Sequence, residues 1–192
     1  MVMADRIIIL DRGEIAQTGT PEEVYNRPAS AFVAAFMGAD NVIRLDIDRT
    51  DEAVSVPSTE HHAAVLLPIA RSEKGGGVHI VDSGNGAMRA HFRSEAARLV
   101  NLEDKPSASL ILRGHITQAS YPGGFYRYTV DVGDNQFLVD HPERLAVGER
   151  VGINLPATAL HLYPDKPERK WSEPSTKDRQ STDPLSVRRK VA

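Results

Sequence analysis

The sequence predicts a mainly β protein: a small barrel or sandwich of short antiparallel strands, preceded by a β-hairpin and two short helices. Three observations predict it. Short segments alternate apolar and polar residues, as Tyr126, Tyr128, Val130 and Val132 do with Arg127, Thr129 and Asp131. Turn chemistry separates those segments at close spacing, in "YPGG", "VGDN", "AVGE" and "LPAT". The clearest helix-start signals stand near the beginning, at Thr20 and Ser30.

Taken in order, Ile7-Ile8-Ile9-Leu10 is a β-branched and aliphatic run that suits a strand buried on both faces. Asp11-Arg12-Gly13 supplies a turn, and residues 14–18 alternate as a hairpin partner with one wet face. Thr20 is placed to cap a helix, with Pro21 at its first position and Glu23 completing a capping box. The helix is short because Pro28 pushes Arg27 out of the α region. Ser30 caps a second helix with Phe32, Val33, Phe36 and Met37 on one stripe and Gly38 as its stop.

Strands are then expected over residues 42–48, 53–56 and 63–67, in "VHIV" and in "AMRAHF", with turns at "SEKGGG" and "DSGNG". "SEAARLV" suggests one helical turn, since Ala97 and Val100 lie near one face. Further strands are expected at 110–112, 113–116, 125–132, 136–139, 149–155 and 159–162. Beyond Pro164 the text is rich in Pro, Ser and charge. Residues 165–192 therefore read as a disordered tail, behind a unit at 1–40 and a barrel region at 41–164.

Composition excludes several classes of function. A chain of 192 residues can bury a real core. The absence of cysteine removes disulfides, thiolate metal sites and cysteine nucleophiles. A net charge of −3 with mixed signs argues against a nucleic-acid protein held by bulk charge. No apolar run approaches ~20 residues, so no membrane span is expected, and the cytoplasm is the default compartment. Among seven histidines, the adjacent His61 and His62 diverge on a strand or helix, and the others show no ligand spacing, so no metal site is expected. Ser83, Ser109 and Ser120 lie outside any nucleophile elbow, and Asp131, Asp134 and Asp140 sit where turns want Asp, so no catalytic residue is named. No phosphate-binding G-x-x-x-x-G-K-[ST] loop occurs, and ATP binding or hydrolysis is not expected.

The stretch "MADRIIILDRGEIAQTGTPEEVYNRPASAFVAAFMGADNVI" resembles the last segment of the nucleotide-binding subunit of ABC importers. "FRSEAARLV" resembles the Arg-Pro-Glu stretch of that family's C-terminal regulatory region, with Ser94 in place of the proline. "LRGHITQASYPGGFYRYTVDVGDNQFLV" and "LAVGERVGINLPATALHLYP" resemble its transport-associated OB-like barrel, the TOBE domain. Polyamine, ferric-iron and phosphonate importer ATPases are similar, without a choice among them. The resemblance implies an OB-like barrel at 41–164 and, at 1–40, a remnant of an ATPase domain whose catalytic front, with its ATP and Mg²⁺, is absent. It also implies transporter membrane subunits as partners and a cytoplasmic place peripheral to the inner membrane when assembled. The role expected is regulatory and dimerising, with no cofactor on this chain. The alternative is a free-standing barrel that senses a small ligand, an oxyanion or a metal complex.

Two places are candidate contacts with a ligand or partner: Phe125, Tyr126 and Arg127 in "YPGGFYRY", and Arg93 with Glu95. The first can equally be a tight turn, with Tyr126 and Tyr128 in the core and Phe125 at a partly exposed edge. Stacking on single-stranded nucleic acid is a third use, which the acidic net charge disfavours. A bare apolar edge at the first strand leads us to expect a homodimer.

Overall fold

A two-residue turn with positive φ at Arg12 and Gly13 folds β1 (Ile7–Asp11) onto β2 (Glu14–Gly19). Ala16 is the extra residue of a bulge, because Ile9 faces Gln17 while Leu10 faces Ile15. The computed structural model describes residues 4–71, 76–81, 84–104 and 106–165. The tail expected at 165–192 lies outside these apart from Asp165, as do parts of the turns at "SEKGGG" and "DSGNG".

Helix α1 (Pro21–Asn26) starts on a complete capping box: Glu23 N donates to Thr20 Oγ1 and Thr20 N to Glu23 Oε2. Helix α2 (Ala31–Phe36) starts on Ser30, whose Oγ accepts from Val33 N. The hairpin and helices enclose a small core of Ile9, Val24 and Val33. The expectation that the first strand is buried on both faces is corrected here. Ile9 is buried, but Ile8, Leu10 and Ile15 are 60%, 59% and 66% exposed, since no layer covers their face among the described residues. The α2 stripe is likewise only partly used: Val33 is buried and Phe36 is exposed.

Beyond Gly38 the chain builds two sheets. The first has the order β5-β4-β3-β7-β13-β6. Its members are β3 (Asn41–Arg49), β4 (Ala53–Val56), β5 (Val65–Pro68), β6 (His79–Ile80), β7 (Gly86–Phe92) and β13 (His161–Pro164). In β3 the alternation is clean, with Ile43, Leu45 and Ile47 inside. The second sheet has the order β11-β10-β9-β12-β8. It comprises β8 (Arg98–Val100), β9 (Ser109–Ser120), β10 (Tyr126–Val132), β11 (Asn135–His141) and β12 (Arg150–Pro156). A 3-10 turn, Ala157–Ala159, leads from β12 into β13.

The two strands expected at 110–112 and 113–116 are one, β9, running through Gly114. Its first half pairs with β12 and its second with β10, bulging at Thr117 where Val130 faces Ile116 and Thr129 faces Gln118. Gly114 makes the coiling possible: a Cβ there would fall on the Asp131 carbonyl oxygen. The edges β8 and β11 approach each other, and Asp140 N donates to Ser94 O. This is the OB-like barrel expected. The two sheets share one core that includes Phe92, Leu110, Leu112, Tyr128, Phe137 and Leu162. The helical turn expected in "SEAARLV" is a tight turn followed by β8, where Leu99 pairs with Ile153 and is buried. Asp165, assigned to the tail, is anchored: its carboxylate meets Arg89 at 2.8 Å and Arg44 at 3.1 Å.

Candidate functional site

The residues singled out in the sequence fall into one chain of contacts and one separate wall. Arg127 projects from β10 and donates through Nε and Nη2 to both oxygens of Asp140 on β11, at 2.7 and 2.9 Å. This two-point geometry is the strong form of an arginine–carboxylate contact. Hydrogen bonding by Arg127, then by Ser94, holds the Asp140 carboxyl below its ordinary pKa. Phe125 lies beside the same guanidinium, 5.6 Å from ring centre to Cζ. Ser94 Oγ donates to Asp140 at 2.8 Å and also reaches Glu95. Glu95 accepts from the Tyr25 hydroxyl on α1, and the Tyr25 ring stacks under Arg93 at 3.7 Å. Four of the five candidate residues, Phe125, Arg127, Glu95 and Arg93, are thus linked from the barrel edge to the N-terminal helices.

Arg93 is 6% exposed, so it serves an internal contact. Its Nε donates to Met37 O at 3.1 Å and its Nη2 to Tyr25 O at 2.8 Å, which satisfies carbonyls at the ends of α2 and α1. Around it stand three histidines that the sequence offers as unrelated. His79 donates from Nε2 to Pro28 O, and His91 from Nδ1 to Ala39 O. His161 presents Nε2 to Arg93 Nη1 at 3.4 Å and packs edge-on to His79. The Tyr163 hydroxyl also donates to Pro28 O. Four carbonyls of the N-terminal unit are therefore gripped by side chains of the first sheet and by that of Arg93, the residue that follows β7. Burial lowers the pKa of all three imidazoles, and for His161 burial and the Arg93 charge push it down to about 3. No local pattern announces this cluster, because β6, β7 and β13 meet only through long-range pairing. Among the described residues no group of three or more His, Asp or Glu is arranged to hold a metal.

Tyr126, the fifth candidate, points the other way along β10. Its ring is the middle of a row, 5.0 Å from Tyr121 and 6.2 Å from Tyr128. Together with Arg144, Leu145 and Val147 these tyrosines line an open trough of about 680 Å³. Tyr128 is fully buried and Tyr126 half-buried.

At both candidate places the side chains meet one another or backbone carbonyls, beside a coiled five-stranded sheet that shares one core with a second sheet. Residues 92–162 match the TOBE domain. Over 84% of its length the chain is 30% identical to the spermidine/putrescine import ATP-binding protein PotA of Clostridium novyi. It is 33% identical over 85% of its length to the sn-glycerol-3-phosphate import ATP-binding protein UgpC 1 of Rhizobium johnstonii, and 33% over 73% to the Fe(3+) ions import ATP-binding protein FbpC of Rhizobium etli. The chain is thus similar to the C-terminal part of ABC importer ATP-binding subunits, with the TOBE match lying within that similarity. It spans 41% of the length of the first two relatives and 35% of the third. A solved structure, the cytoplasmic molybdate-binding protein ModG, aligns with 64% of this chain and 94% of that one, at a TM-score of 0.47 and 13% identity. No helix among the described residues is long and apolar enough to cross a membrane.

Proposed function

We propose that this chain is a non-catalytic regulatory and dimerisation portion of an ABC importer ATP-binding subunit, working at the cytoplasmic side of a membrane importer for a small solute. The observation that carries the reading is the match to importer ATP-binding proteins over 84% of this chain but only 41% of the relative. The structure supports it in two ways. The N-terminal unit is gripped through four carbonyls by Arg93 and the first sheet, which shares its core with the barrel, so a displacement of one is transmitted to the other. Its outer face keeps Ile8, Leu10 and Ile15 in water, where a neighbour has apolar surface to cover. Partners in this reading are a second copy, the ATPase domain and the membrane subunits. The coupling is a differential contact between two states of the assembly. The residues matched to the relatives here include no phosphate-binding loop, so the chain itself binds no Mg-ATP.

Isothermal titration with Mg-ATP, run beside sedimentation of the same chain, tests this. Absence of binding heat together with reversible self-association is the expected result. Micromolar Mg-ATP affinity would overturn the non-catalytic assignment. The tyrosine trough favours a second, compatible reading, in which the barrel also reports on a small ligand.

A further inference from the structure

The trough beside "YPGGFYRY" has a built floor and a built rim. Tyr128 forms the floor: its hydroxyl donates to Glu143 O at 3.0 Å and accepts from Leu145 N at 2.7 Å, which pins the opposite wall. Tyr126 lies almost parallel to it, at an interplanar angle of 24°. Tyr121 stands at the rim, 62% exposed, and cannot swing freely because its hydroxyl accepts from Gly124 N at 3.1 Å. That bond requires the chain to double back through Gly123 and Gly124 at φ 120° and 80°, a path open to glycine. An exposed aromatic ring is costly in water, and here it is held open over a hollow of about 680 Å³, within the usual size of small-ligand sites.

The charge in the hollow is of one sign. Arg144 is its only charged lining residue and has no ion-pair partner among the described residues. Glu149 is engaged by Ala146 N and, with Glu143, lines a separate hollow beside Leu99 and Val151. Tyrosine faces take flat rings by stacking, and a lone guanidinium takes an acid group by charge-assisted hydrogen bonds. A cation would stack as well but would meet Arg144.

We propose that this trough binds a flat aromatic or heteroaromatic molecule carrying one acid group, with its ring stacked on Tyr121, its edge toward the tilted ring of Tyr126 and its anion on Arg144. The inference rests on the second reading above. Its failure would leave the dimerisation reading untouched, because the hairpin face is elsewhere in the chain.

Flavin mononucleotide and riboflavin are a suitable pair of probes, since they share a ring and differ by the phosphate. Flavin mononucleotide should shift the amide signals of Tyr121, Gly124 and residues 144–147 in a titration followed by NMR, and its fluorescence should be quenched. Riboflavin should bind about tenfold more weakly, a difference of ~1.4 kcal/mol. Arg144→Ala should bring the nucleotide down to the riboflavin level, and Tyr121→Ala should weaken both. Both side chains are exposed, so the variants should fold, and unchanged spectra elsewhere check this. The proposal is overturned if neither flavin shifts these signals at millimolar concentration, if Arg144→Ala leaves the nucleotide's affinity unchanged, or if spermidine binds there more tightly than the nucleotide.

Discussion

The barrel sheets and the N-terminal unit solve the same problem with unequal means. The sheets bury Phe92, Leu110, Leu112, Tyr128, Phe137 and Leu155 almost completely, by facing one another across a single core. The N-terminal unit buries three large residues and leaves Ile8, Leu10, Ile15 and Phe36 mostly in water. A two-stranded hairpin is marginal in water, so this unit needs more than its own core. What attaches it to the sheet is chiefly polar: Arg93, His79, His91 and Tyr163 each reach a carbonyl in residues 25–39. Ala34, Ala39 and Tyr163 add a small apolar seam. Area holds one region together. Geometry and charge hold the other in place, so the two should respond to different perturbations.

The largest effect belongs to the barrel. Gly114→Ala drives a methyl into the Asp131 carbonyl oxygen, and backbone cannot step aside as a flexible side chain can. We expect a loss of about 3 kcal/mol, read as a lower denaturation midpoint for the whole chain. An unchanged midpoint would mean that β9 and β10 do not cross so closely. Arg93→Ala should act next most strongly, and locally. It removes two charge-assisted hydrogen bonds and strands the carbonyls of Tyr25 and Met37, at a cost of about 2 kcal/mol. Amide exchange should quicken across residues 21–39 while β9 and β10 keep their protection. Uniform loss of protection would remove the distinction between the regions.

Acid should separate them further. His79, His91 and His161 have pKa values lowered in the fold, so below the ordinary imidazole value of about 6.5 the unfolded chain takes up protons that the native cluster refuses. Stability contributed by the neutral cluster is present above that pH. It drains as pH falls below that value, by up to ~1.4 kcal/mol per pH unit for each imidazole, and for His161 the loss continues toward about 3. Arg27 and Arg89 oppose protonation of His79 and His91 respectively, while Asp40 favours it at His91. Cleavage within residues 21–39 by an acid-active protease should therefore rise between pH 7 and pH 5 before the barrel core loosens, the ordinary imidazole range. Simultaneous loss of both would contradict the polar-docking account.

Much of this was readable in the residues, and the reasons differ by region. Capping at Thr20, Glu23 and Ser30 is chemistry within one turn, and both bonds of the box are present. Alternation in residues 42–48 and 126–132 is equally local, and it named the inner faces of β3 and β10. The run Ile7-Ile8-Ile9-Leu10 could not report whether a second layer exists, because its composition suits a covered face that the structure leaves open. "SEAARLV" satisfied a helical spacing over so few residues that strand pairing with β12 overrode it. Arg93 was singled out as a contact. Its partners Tyr25 and Met37, and the three histidines beside it, come together only through tertiary pairing that no spacing encodes. Tyr121 was missed as a wall because its role depends on Gly124 turning back to its hydroxyl.

The smallest effect on stability should accompany the largest effect on assembly. Ile8 is 60% exposed, so Ile8→Lys should change the folding midpoint by less than about 0.5 kcal/mol. If the open face of β1 and β2 is where a second copy is covered, the same change should abolish self-association. Sedimentation of the unmodified chain against Ile8→Lys, with amide exchange of β1 followed in both, tests this most directly. The account predicts a reversible dimer for the first, a monomer for the second, and protection of β1 only in the dimer. A clean monomer for the unmodified chain, with β1 already protected, would contradict it.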